Sequence, residues 1–72
     1  MPLLSYTEVV RFLQRAGFER VSQHGSHIKL RSRVNKRTVI VPAHAEVARG
    51  TLRSILLQAG LTRAEFEALR TA

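Results

Sequence analysis

One stretch of the sequence sets a titratable group in a row of cations. His27-Ile28-Lys29-Leu30-Arg31 alternates polar and apolar residues with the period of a half-buried strand. If Ile28 and Leu30 point into a core, His27, Lys29 and Arg31 point out together. Residues two apart on a strand stand roughly 6.5–7 Å apart along it, close to the spacing of phosphates on an RNA strand. Imidazole titrates near neutrality, so a histidine there can give or take a proton at working pH. The pattern suits acid–base work beside a bound polyanion. A polar outer face with an incidental histidine is the plainer alternative from alternation alone.

Other residues could join that row. Gly25 and Ser26 precede His27, and a tight turn there starts the strand at the histidine. His24 and His44 complete the histidine set. His24-x-x-His27 with His44 can be read as a metal site. However, His24 and His27 flank a turn, their side chains need not converge, and neither Cys nor Asp is available. No metal and no small-molecule cofactor is therefore expected. Arg49 and Arg53 bracket the expected start of the second helix, where cations oppose the helix dipole unless a bound phosphate reverses the sign. A P-loop, a G-x-G-x-x-G segment, a pair of acids on one strand and a Ser-His-Asp set are all missing.

The elements around these residues are readable. Ser5-Tyr6-Thr7-Glu8 has the form of a capping box, and Val9, Phe12, Leu13 and Ala16 follow at helical spacing up to Gly17. This predicts a helix over 5–16. Strands are expected over 18–23, 27–31 and 38–41, with a turn at His24-Gly25-Ser26. Ser32 to Lys36 reads as a polar connection with Asn35 as its turn residue. Pro42 ends the third strand. After a loop over 43–50, Thr51 can cap a second helix with Leu52, Ile55, Leu56 and Ala59 on one face. Gly60 stops it, and the box Thr62-Arg63-Ala64-Glu65 opens a last short helix with Phe66 and Leu69 inward. The expected fold is α+β: an antiparallel three-stranded sheet in the order α-β-β-β-α-α, helices on one face and the other face open.

Composition narrows the partner. The chain has 72 residues, 12 Lys+Arg, 5 Asp+Glu and no cysteine. One domain over 1–72 fits, and it buries only about 60% of its unfolded surface. Between Arg20 and Arg37 lie Arg20, Lys29, Arg31, Arg33, Lys36 and Arg37 with no acid, so this segment carries +6 of the net +7. One basic patch rather than diffuse charge implies an anionic partner. Ten of the twelve bases are Arg, whose planar fork matches phosphate. One Tyr and three Phe supply few platforms for base stacking. No membrane-length apolar run and no signal-peptide pattern is visible, which points to the cytoplasm.

Three stretches then carry a likeness: Leu-Gln-Arg-Ala-Gly-Phe over 13–18; Gly25-Ser26-His27; and Val41-Pro42-Ala43-His44 with Arg49-Gly50-Thr51-Leu52-Arg53-Ser54-Ile55-Leu56 and Gln58-Ala59-Gly60-Leu61-Thr62. In order and spacing the chain resembles the HicA (YcfA-like) toxins of bacterial toxin–antitoxin pairs. The resemblance implies a fold like the double-stranded-RNA-binding domain. It also implies an RNase that cleaves mRNA and arrests growth until a HicB-type antitoxin binds. The catalytic histidine carries over to His27. Many members have an aromatic residue soon after it, where this chain has Ile28-Lys29-Leu30.

The resulting expectation is metal-independent RNA cleavage. His27 handles a proton, and Gly25, Ser26, Lys29, Arg31, Arg33, Lys36, Arg37, Arg49 and Arg53 hold the RNA. His24, His44 or water provides the second transfer. The rival is a small module that grips RNA by shape and cuts nothing. A third reading is a basic face that docks an acidic protein, which an antitoxin would also satisfy.

Overall fold

A computed structural model describes residues 4–71. Its elements are α1 (Tyr6–Arg15), β1 (Phe18–His24), β2 (His27–Ser32), β3 (Thr38–Pro42), α2 (Arg49–Ala59) and α3 (Arg63–Thr71). The three strands form one antiparallel sheet in the order β1-β2-β3. The α+β class and the element order match those expected. No helix among the described residues is long and apolar enough to cross a membrane.

Alternation decides which face is covered. Ile28, Leu30, Val39 and Val41 are fully buried, and they meet Val9, Phe12 and Leu13 of α1, Ile55 and Ala59 of α2, and Phe66 of α3 in one apolar cluster. The residues between them on β2 and β3 are exposed or half-buried. The helices therefore share one side of the sheet.

Local chemistry starts each helix differently. Ser5 caps α1: its Oγ accepts from the Glu8 N–H at 3.3 Å and its hydroxyl donates to the Glu8 carboxylate at 3.2 Å. Thr62 and Glu65 form a full reciprocal box. The Glu65 carboxylate accepts the Thr62 N–H at 2.9 Å, and Thr62 Oγ1 accepts the Glu65 N–H at 3.1 Å. The bond from the Thr62 backbone, with its hydroxyl second, holds Glu65 below the usual carboxylate range.

The start of α2 departs from expectation. Thr51 is its third residue, not its cap. Ala48 holds the cap position without a side-chain hydrogen bond. The reason lies outside the helix. Val47 is buried and its N–H donates to the Leu4 carbonyl at 2.7 Å. That bridge directs the chain into the helix before Thr51 is reached.

The β2–β3 connection also differs. Ser32 ends β2 as a buried residue, and its Oγ accepts from the N–H groups of Val34 and Asn35. Asn35 shapes the turn by accepting the Arg37 N–H at 2.9 Å, but Lys36 takes the left-handed position, with φ 63°. On β3, the outward N–H of Ile40 donates to Gln58 Oε1 at 3.1 Å, and Pro42 has no N–H. This edge offers little to a further strand.

Gly60 ends α2 with φ 72°, and a Cβ there would lie 2.8 Å from Arg37 Nε. Gly60→Ala is expected to cost about 1–2 kcal/mol, the penalty of the left-handed backbone for a residue with a Cβ. For a domain of this size, each kcal/mol lowers the melting temperature by roughly 4–8 °C. A thermal melt checks it, and an unchanged midpoint would contradict the backbone argument.

Candidate functional site

Backbone geometry pairs two histidines. β1 runs on to His24, so the turn is only Gly25-Ser26, one residue shorter than the expected His24-Gly25-Ser26. Gly25 takes φ 58° at its first position, open to glycine at no steric cost. His24 and His27 then stand directly opposite each other across the strands. Side chains so paired leave the same face of the sheet, their Cβ atoms about 4.5–5.5 Å apart. A three-residue turn would have taken His24 out of the ladder. The two histidines that flank the turn thus share one face of the sheet.

That face is the open one. Ile28 beside His27 is buried in the core, whereas His27, Lys29 and Arg31 are exposed. Cross-strand partners complete three rows: His24, His27 and Pro42; Ser22, Lys29 and Ile40; Glu19, Arg31 and Thr38. Ile40 (38% exposed) puts an apolar side chain at the β3 end of the middle row. The alternation of β3 could have located Thr38 and Ile40 on this face, since Val39 and Val41 are its core residues. Glu19, next to buried Phe18, follows the same alternation, but its pairing with Arg31 could not be read, because a bulge between Arg20 and Ser22 shifts the register of β1.

The bulge sorts the charges. Arg20 lies opposite Leu30, toward the helix side, and its guanidinium donates to Gln23 Oε1. Glu19 enters the open face opposite Arg31, and its carboxylate pairs with Arg33 Nε at 3.2 Å. The far end of the face is therefore partly neutralised. Lys29, two residues along β2 from His27 on the same face, has no acid opposite it. The exposed Arg33–Glu19 pair adds at most about 1 kcal/mol to stability, so its effect is on the local field.

The remaining site candidates are spread out. Gly25 and Ser26 form the exposed mouth of the hairpin, which the β3–α2 loop fastens: the Ala43 N–H donates to the Ser26 carbonyl at 2.6 Å. His44, next in that loop, is exposed, and its N–H donates to the Pro42 carbonyl at 2.9 Å. Lys36 lies in the β2–β3 turn, at the other end of β2 from His27. Arg37 packs over Gly60 at the C-terminal end of α2, where a cation is favourable. Arg49 and Arg53 line a groove beside α3. The open sheet face thus unites His24, His27, Lys29 and Arg31, and not the whole basic segment. Among the described residues no three His, Cys, Asp or Glu side chains gather as a metal site requires.

Two imidazoles side by side can act as acid and base in one turnover, one neutral and one protonated. A neighbouring ammonium can hold an anionic group and offset charge that develops on it. A family model described as the HicA toxin of bacterial toxin–antitoxin matches residues 6–61. The match covers α1, the sheet and α2, and ends before α3. No curated protein matches the chain.

Proposed function

The chain belongs to the HicA family of bacterial toxin–antitoxin toxins, and from that premise we propose that it is an endoribonuclease that cleaves mRNA on the open face of its sheet. The opposition of His24 and His27 beside Lys29 is the observation that supports this reading best. One imidazole accepts the proton of a ribose 2′-OH as its oxygen attacks the adjacent phosphorus. The other protonates the departing 5′-oxygen. The products are a 2′,3′-cyclic phosphate and a 5′-hydroxyl end, so protons and bonds balance. Lys29 and Arg31 hold phosphates and offset charge in the transition state. The scheme calls on no metal ion or cofactor.

Gly25 and Ser26 keep the mouth of the hairpin narrow, and Arg33 and Lys36 extend the phosphate track. An mRNA substrate implies work in the cytoplasm. A HicB-type antitoxin that covers this basic face would silence the toxin.

The pair of histidines makes a specific prediction. His24→Ala is expected to slow cleavage by about 10²-fold, the lower end for one acid–base group. It should also remove one limb of the pH–rate profile, since water replaces one of the two partners. A fluorogenic RNA assayed across a pH series measures both. An unchanged rate and profile would leave His27 without this partner and point to His44 or water.

A further inference from the structure

α2 and α3 enclose a groove of about 660 Å³ on the helix side of the molecule, away from the open sheet face. Its floor is apolar: Leu52, Leu56, Leu57, Leu61 and Phe66. Leu57 is 71% exposed and Leu52 and Leu61 are half-buried, whereas Leu56 and Phe66 are buried beneath them. Its rim is cationic: Arg49, Arg53, Arg63 and Arg70 stand around it. Glu67 is the one acid among the lining residues, 3.9 Å from both Arg63 and Arg70. α2 itself contains no acidic residue.

We propose that this groove docks an acidic amphipathic helix of the toxin's antitoxin. The argument is complementarity. An apolar stripe on such a helix covers Leu57 and its neighbours, while flanking carboxylates meet the arginine rim. α2 has 11 residues, giving about 16 Å of wall, roughly three turns of a docked helix. RNA would use the four cations but gains nothing from the leucine floor. A second copy placed by two-fold symmetry would set this arginine rim against its own counterpart. The groove is also built in part by α3, which lies beyond the span matched by the family model. The proposal rests on membership in a toxin–antitoxin family and is independent of RNA cleavage. It separates an anchoring surface on the helices from the histidine face on the sheet.

The test uses the full chain and its purified antitoxin, with affinity read by calorimetry. Leu57→Glu and Arg63→Glu are each expected to weaken binding at least tenfold. Both positions are on the surface, and a thermal melt verifies that the variants fold. RNA cleavage by either free variant should stay within twofold of wild type. Antitoxin affinity within twofold of wild type in both variants overturns the proposal, as does an antitoxin that fails to bind the wild-type chain. Two further results overturn it. One is a change in the sedimentation of the free toxin on Leu57→Glu with antitoxin affinity intact, which makes the groove a self-association site. The other is a shift of the Leu57 methyl NMR signals on titration with an RNA oligonucleotide, which makes it a nucleic-acid site. The binding readout contains no RNA, so failure here is distinct from failure of the RNase reading.

Discussion

Replacing His27 with alanine is expected to lower RNA cleavage by about 10²–10⁴-fold, the contribution of one positioned acid–base group. RNA affinity should remain within about twofold, because Lys29 and Arg31 still carry the phosphate contacts. The fold should also persist. His27 is exposed at the start of β2, and the core side of that strand is filled by Ile28 and Leu30. The two proteins are best compared on one RNA in excess EDTA, with binding measured separately. Equal cleavage by the variant would remove His27 from the mechanism. Binding by both without cleavage by either would favour a non-catalytic RNA-binding module. Loss of wild-type cleavage in EDTA would bring a divalent ion into the scheme.

Replacing Phe66 with alanine is expected to destabilise the protein by about 3–5 kcal/mol, the usual cost of deleting a buried phenyl ring. Phe66 is buried and meets Phe12 edge-to-face, with ring centroids 4.8 Å apart and planes at 67°. Such a pair adds about 0.5–1.5 kcal/mol beyond the area it buries. Around this ring, Arg15 Nη1 donates to the Leu69 carbonyl at 3.0 Å, and the Arg70 guanidinium lies 6.0 Å from the ring centroid. The first of these contacts depends on α3 staying docked against α1, and the second lies within α3 itself. A domain of this length has roughly 4–11 kcal/mol of stability in all, so the loss would be a large share. Denaturant unfolding reads the total, and hydrogen exchange at α3 amides reports whether that helix opens first. Leu57→Ala, at an exposed position, serves as the control and should stay within about 0.5 kcal/mol of wild type. A Phe66→Ala midpoint no lower than the control's would mean that α3 rests on the core without supporting it.

Much of the fold was legible because its signals are local. The Ser5 and Thr62 caps, the stops at Gly17 and Gly60, and the alternation of 27–31 all act within a few residues, where periodicity and hydrogen-bond reach decide. The misreadings share a different cause. Thr51 was a reasonable cap until Val47 was tied to Leu4, a contact 43 positions away in the chain. Ser32 looked like a loop residue until its hydroxyl, buried at the end of β2, took up the N–H groups of the turn it precedes. Lys36 in the left-handed region has no propensity to announce it. The Ser32 and Asn35 side chains fix the turn around it.

For the candidate site the division is sharper. The sequence by itself determined that His27, Lys29 and Arg31 share a face, since a strand's two-residue period follows from its backbone and the apolar residues between them must be buried. It also determined that positive charge collects in one segment. Only the tertiary structure decided which other groups meet that row. The two-residue turn sets His24 against His27. A bulge in β1 sets Glu19, rather than Arg20, against Arg31. The packing of α2 draws Arg37 over Gly60, and α3 gives Arg49 and Arg53 a groove of their own. Each outcome depends on register or docking between segments. A shift of one residue moves a side chain to the opposite face of a sheet, and composition and local periodicity carry no record of that choice.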